Sequence, residues 1–173
     1  KSLLENSRLV EAEKKTEAIL KKYPENGEAL YIMAVCQRYL NRLEKALETL
    51  RRLKKLRPGY GRAFQEEGHV CVAAGFTSQA LLAYRHAVSL NNSLIASWAA
   101  LTKILSAQGK TENAKVTQIE YKKLKALPTE LLSVRNMISE GYNYQAERLC
   151  RKFLMQNKRN VEGMRLLASL GVA

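Results

Sequence analysis

The side chains with the most chemistry to offer are few and scattered through the 173 residues. His69 and His86 are isolated, and neither sits in a motif that would supply a nucleophile or a group to orient the ring. Glu66 and Glu67 are the one conspicuous pair of carboxylates. Neighbouring residues on a helix project in different directions, so the pair does not converge on one point as an acid and a base must. Cys36, Cys71 and Cys150 are odd in number and far apart. No close cysteine pair or partnering histidine gives them zinc-ligand spacing. On apolar helix faces they read as buried free thiols of a reducing, cytoplasmic compartment. The sequence has no phosphate-binding glycine loop and no G-x-S-x-G elbow. It reads as a non-catalytic chain that needs neither a cofactor nor a metal.

The elements that hold these residues follow from the apolar pattern. In residues 61–94 one apolar segment ends at Gly75-Phe76-Thr77, and a second carries Ala80, Tyr84 and Ala87 at helical spacing. The pattern recurs along the chain. Steps of 34 residues, and a last step of 32, carry Ala12 to Ala46, Ala80, Ala114 and Ala146. The same steps carry a turn position from Ser7 to Asn41, Gly75, Gly109 and Gly141. A fixed period of this length marks a repeat architecture in which each unit is one pair of short helices. Helices are expected at 9–23, 28–40, 43–56, 61–74, 77–90, 95–108, 111–124, 129–140, 142–156 and 161–170. The end of an earlier helix is expected at Leu3-Leu4-Glu5, followed by a turn at Asn6-Ser7-Arg8. Thr111 and Asn113 are expected as caps. Pro24, Pro58 and Pro128 all fall at breaks between segments, where proline ends a helix without disrupting its interior. The expected fold class is all-α.

The residues on these ladders resemble the tetratricopeptide repeat family, over essentially the whole chain. Trp98 and Leu101 match the opening W-x2-L, and Gly68 matches the glycine that lets the two helices approach. Ala46, Ala80, Ala114 and Ala146 match the alanine of A-x3-F, Tyr84 matches its aromatic, and Pro24 and Pro58 match the closing proline. Cys71 and Leu105 depart from the family's tyrosine, and Asn92 departs from a closing proline. The resemblance implies a right-handed superhelical solenoid of antiparallel helix pairs. Residues 1–173 would form one array, as a partial repeat 1–26, repeats 27–60, 61–94, 95–126 and 127–160, and a partial repeat 161–173. Both ends then stop within a repeat. The chain is therefore expected to be a piece of a longer protein, or to pair with a second copy through its unmatched terminal helices. A second resemblance is carried by AYRHAVSLNNSLIASWAALTKILSAQGKTENA and SEGYNYQAERLCRKFLMQNKRNVEGMRLLASLG. It is to the repeat region that precedes the catalytic domain of certain bacterial sulfotransferases. That family's phosphate-binding loop and sulfotransfer residues have no match here, so the resemblance assigns no catalytic role.

The resemblance also implies a protein-protein interaction scaffold whose inner groove, lined by the first helix of each pair, binds a peptide, a protein or another domain of the same polypeptide. The positions it places there are Tyr31, Val35 and Arg38, then Arg62, Gln65 and His69, then Ala99, Lys103 and Ser106, and finally Leu131 and Arg135. Net charge is +13. First-helix segments sum to −1 and second-helix segments, with the loops after them, to +14. The excess thus rides on second helices, where most of the basic clusters lie: Lys14-Lys15, Lys21-Lys22, Arg51-Arg52, Lys54-Lys55, Lys122-Lys123 with Lys125, and Arg151-Lys152. A basic outer face suits an anionic partner, and its bland reading is a solubilising surface. Aromatic rings are not interleaved with the basic runs as base-stacking platforms would be, which argues against nucleic acid as the partner. No apolar run approaches the ~20 residues needed to cross a bilayer, and no leader is visible.

Overall fold

Helices of ten to twenty residues with one apolar face are marginal alone and must share their cover. The computed structural model describes the backbone of residues 3–171 and the side chains of 7–171, and among them it has ten α-helices and no strand. They are α1 (Leu3–Lys22), α2 (Gly27–Tyr39), α3 (Leu43–Leu56), α4 (Gly61–Ala73), α5 (Thr77–Leu90), α6 (Ile95–Ala107), α7 (Thr111–Lys125), α8 (Thr129–Ser139), α9 (Asn143–Gln156) and α10 (Val161–Leu170).

The turn inside each pair is built the same way four times. Asn41, Gly75, Gly109 and Gly141 all take positive φ, at 59°, 80°, 70° and 82°. Beyond each one, a backbone N–H reaches back five residues to a carbonyl of the preceding helix. Arg42 bonds Gln37, Phe76 bonds Cys71, Lys110 bonds Leu105 and Tyr142 bonds Met137, at 2.8–3.0 Å. This arrangement satisfies carbonyls that the helix end leaves open, and it needs a left-handed residue at its centre. Glycine fills that position three times, and asparagine, the next most tolerant residue, fills it once.

The fifth expected turn is absent. α1 runs unbroken through Asn6-Ser7-Arg8. That triplet has neither proline nor glycine, and the modest helix propensities of Asn and Ser cost only about half a kcal/mol each. Good helix formers on both sides carry the helix across. Thr111 and Asn113 are not caps either. The cap position is Lys110, which makes no side-chain cap bond, and Thr111 is already inside α7. Side-chain caps do occur between pairs. Asn26 accepts from the Ala29 N–H at 3.0 Å, and Asn160 accepts from the Gly163 N–H at 2.8 Å.

The chain divides into two compact units, Lys1–Ser89 and Leu90–Ala173. In the first, α2 and α4 lie side by side, α3 packs on both, and α1 covers α2. Its core joins Leu30, Ala34, Ala46, Leu50, Leu53 and Val70, all essentially inaccessible to water. Burying one such leucine contributes about 2 kcal/mol. In the second unit α6 packs on α7, α8 packs on α9, and α10 lies against both α8 and α9. Its C-terminal core is Leu131, Val134, Ala146, Cys150, Phe153 and Leu166. Ala46, Ala80, Ala114 and Ala146 are all buried, while Ala12 is half-buried. The α6–α7 pair departs from this apolar scheme. Gln118, which takes the place of Leu50 and Tyr84, is exposed, and the Thr117 hydroxyl turns inward to share a hydrogen bond of 2.9 Å with Thr102 Oγ1.

Gly75→Ala is expected to lower stability by about 1 kcal/mol, because a side chain at positive φ is strained. Asn41→Gly is expected to be neutral or slightly stabilising at the equivalent turn. Urea unfolding of the two variants measures the contrast, and an unchanged midpoint for Gly75→Ala counts against the left-handed turn as a constraint.

Candidate partner-binding face

Six of the eleven candidate positions lie on α2 and α4, and these helices adjoin in the first unit. On α2 the spacing of Tyr31, Val35 and Arg38 keeps them on one face, and on α4 the spacing of Arg62, Gln65 and His69 does the same. All six are half-buried. Tyr31 sets its ring edge-on to Tyr60, with centroids 5.8 Å apart and planes at 86°. Two exposed apolar side chains continue the stripes, Tyr39 on α2 and Val72 on α4.

An ion pair ties the two helices together. Arg38 Nε donates to Glu66 Oε1 at 2.5 Å, and Nη2 donates to Oε2 at 3.4 Å. The carboxylate is only 3% exposed and the guanidinium 18%. Burial works against the Arg38 charge, but the hydrogen bond and attraction from Glu66 outweigh it and hold its pKa above the ordinary value. The guanidinium also lies 4.1 Å from the centre of the Tyr39 ring. Glu66 stands out in the sequence only as half of a carboxylate pair and is not among the expected groove positions. A signal for it exists: it is an acidic residue on a first helix, and Arg38 stands on the first helix one repeat earlier. Glu67, its neighbour, points elsewhere and pairs with Lys54 on α3. The two carboxylates thus diverge, as the helical geometry requires.

His69 does not stand alone. Its Nδ1 lies 2.7 Å from the Tyr84 hydroxyl on α5. Burial pushes the Tyr84 phenol above its ordinary value, so it keeps its proton and can donate to a neutral imidazole. Burial likewise lowers the His69 pKa; Glu66 pulls the other way, and Arg38 adds to the lowering. Room for this contact comes from Gly68. A Cβ there would sit 2.6 Å from the Tyr84 ring, so the close approach of α4 and α5 depends on the missing side chain. His86, the other histidine, is exposed and lies over Phe64 with ring centroids 4.0 Å apart.

The second unit uses its candidates differently. Lys103 and Ser106 are exposed on α6, and Ala99 is half-buried there. Arg135 on α8 is occupied inside the unit. Its Nε donates to Ser93 Oγ at 3.1 Å, its Nη2 to Asn92 Oδ1 at 3.3 Å, and its Nη1 lies 3.8 Å from Glu162. Beside it, Asn91 Nδ2 donates to Asn136 Oδ1 at 2.9 Å. The polar break at 91–93 is therefore a docking point for α8. Leu131, expected on the groove face, is fully buried, because it and Val134 turn together toward Ala146 and Cys150 of α9.

Residues 3–65 match the family model described as tetratricopeptide repeat. This stretch, just over a third of the chain, is similar to tetratricopeptide repeats. The fold of the remainder agrees with that family. A thermophilic tetratricopeptide repeat protein of Thermus thermophilus superposes with a TM-score of 0.61 at 22% identity, over 99% of this chain and 94% of that one. The pilF protein of Pseudomonas aeruginosa gives 0.61 at 16% identity, over 90% and 72%. A chain of the APC/C hetero-tetramer Cut9-Hcn1 gives 0.62 at 14% identity, over 96% of this chain and 33% of that one. At these identities the likeness is one of fold. No curated protein matches the sequence. Among the described residues, no helix is long and apolar enough to cross a membrane.

Two outcomes are expected from this face. Arg38→Ala leaves Glu66 buried without its partner and is expected to cost about 3 kcal/mol, while Arg38→Met/Glu66→Leu recovers most of it. A double variant no more stable than the single one, by thermal melting, would remove the pair as the tie between α2 and α4. For His69, the folded pKa lies below the unfolded value of 6.5. The unfolded chain therefore binds more protons as pH falls from 6.5 toward the lowered value, and stability declines across that interval. His69→Gln is expected to flatten this slope in urea melts taken on either side of it; an unaltered slope assigns the pH dependence to other groups.

Proposed function

We propose that this chain is a non-catalytic interaction scaffold that binds a peptide segment of a protein partner on the face formed by α2 and α4. The observation that carries the reading is the composition of that face. Val35, Tyr39 and Val72 offer apolar contact, Gln65, Arg62 and His69 offer hydrogen-bonding groups among them, and the Arg38–Glu66 pair holds the helices that bear them. An extended peptide presents the same alternation of apolar and polar groups, and a surface held by buried contacts takes it up without ordering itself first. Tetratricopeptide repeats are generally scaffolds of this kind, which supports the same reading. Lys103 and Ser106 extend the proposal to α6 as a separate contact in the second unit.

The repeats would form one continuous array from 1 to 173, and the chain would work in the cytoplasm, where its three buried free cysteines stay reduced. α10 keeps Val161 and Met164 exposed, a surface on which a second copy could pair. None of the relatives described above is a sulfotransferase, and no observation on the molecule favours an attached sulfotransfer domain.

Random peptides displayed on phage and selected on the immobilised protein test the groove directly. Selected peptides are expected to lose about tenfold in affinity with Val72→Glu and with Gln65→Lys, measured by calorimetry. Peptides that bind Val72→Glu as tightly as the unaltered chain, or a selection that yields none, overturn the assignment of this face.

A further inference from the structure

We propose that the outer cleft between α3 and α5 is a second docking surface, and that it takes an acidic protein segment carrying a bulky apolar side chain. The cleft is a cavity of about 440 Å³, and three helical stripes build it. Leu47, Arg51 and Lys54 form one wall at the spacing of a single helix face, and Leu82, Ala83 and His86 of α5 form the other. Phe64 and Cys71 of α4 give the floor between them its apolar contact, with Glu67 lying between the two. Leu82 is 66% exposed at the mouth, although it is a large aliphatic residue on a helix whose core face is already complete with Ala80, Tyr84 and Ala87.

The charges of the cleft do not cancel. Lys54 pairs with Glu67, which leaves the site neutral apart from Arg51. Arg51 is exposed and has no ion-pair partner among the described residues. The positive charge continues along both walls, with exposed Lys55 one turn on from Arg51 and exposed Arg85 one turn on from Leu82. α3 is also the helix with the densest basic run in the sequence. An apolar trough flanked by unpaired cations fits an apolar anchor flanked by carboxylates.

A neighbouring cleft shows that this charge is not a feature of every such groove. Between α1 and α3 lies a cavity of about 450 Å³ in the same relation to α2. Glu17 and Glu48 there balance Lys21 and Arg52, Arg52 donates to the Pro24 carbonyl, and Thr49 bonds Gln37 at 2.8 Å. That groove is neutral. Nucleic acid suits the α3–α5 cleft less well than a peptide. Its one aromatic floor residue, Phe64, is already covered by His86 and has Lys54 Nζ 5.1 Å from its ring centre, so it is not open for a base to stack on.

The probe is a short fluorescent peptide with a central Leu-Phe pair flanked by glutamates, titrated with the full chain and followed by anisotropy. Binding is expected, and is expected to weaken about fivefold or more with Arg51→Glu and with Leu82→Glu, and with added salt. Lys21→Glu in the α1–α3 cleft and Val72→Glu on the α2–α4 face are expected to leave it unchanged, which separates this surface from the groove proposed above. Circular dichroism confirms that each variant is folded. Absence of binding, equal binding of a lysine-flanked peptide, or indifference to Arg51→Glu overturns the proposal. Displacement by an oligouridylate at matching concentrations reassigns the cleft to nucleic acid.

Discussion

Each helix here is apolar on one side only and too short to hold itself together, so every one depends on cover from a neighbour. The first layer of each unit, α2 with α4 and α8 with α10, is sealed by second helices that share the alanine positions. Alanine at Ala46, Ala80 and Ala146 is small enough to let the helices close, and larger residues one turn away fill the space on either side. The proposed binding faces follow from the same constraint. A helix that spends one side on its neighbours has the other side available, and the chain carries it in chemically distinct forms on the inner and outer layers.

The buried pair between Arg38 and Glu66 adds something packing does not. A hydrophobic contact tolerates a shift along the helix axis, whereas a bonded guanidinium and carboxylate accept one register. Where Val35, Tyr39, Gln65 and Val72 stand relative to each other is therefore set by an electrostatic tie. The second unit achieves a comparable fixation by other means. Arg135 and Asn136 grip the loop at 91–93, and Thr102 bonds Thr117 across the seam between α6 and α7.

The architecture was legible because its signals repeat. Glycine or asparagine at 41, 75, 109 and 141 and alanine at 46, 80, 114 and 146 mark both ends of each turn, and the helices lie where these marks put them. Ser7 misled because a position in a ladder is only a suggestion; without a residue that prefers positive φ or breaks a helix, the backbone stays helical. Leu131 misled for a related reason. A face assigned by counting from the repeat start does not weigh how apolar the residue is, and leucine went to the core. Glu66, Tyr84 as the partner of His69, and the service Arg135 performs were out of reach of periodicity. They are contacts between residues 15 to 43 apart in the chain, each depending on how far a side chain extends across a helix-helix seam.

The turn shared by the four pairs has a consequence for how such a chain can change length. Its geometry closes a bond from one residue beyond the left-handed position to a carbonyl five residues back, so an added or deleted residue there would break the closure and misalign the two helices it joins. The connections between pairs are of another kind: in four of them a backbone N–H closes a tight turn on the carbonyl three residues back, Asn26 on Tyr23, Tyr60 on Arg57, Leu94 on Asn91 and Asn160 on Asn157, at 2.9–3.3 Å. Both kinds of turn fix a residue count, so natural variants of the array are expected to grow or shrink by whole hairpins and not by single residues.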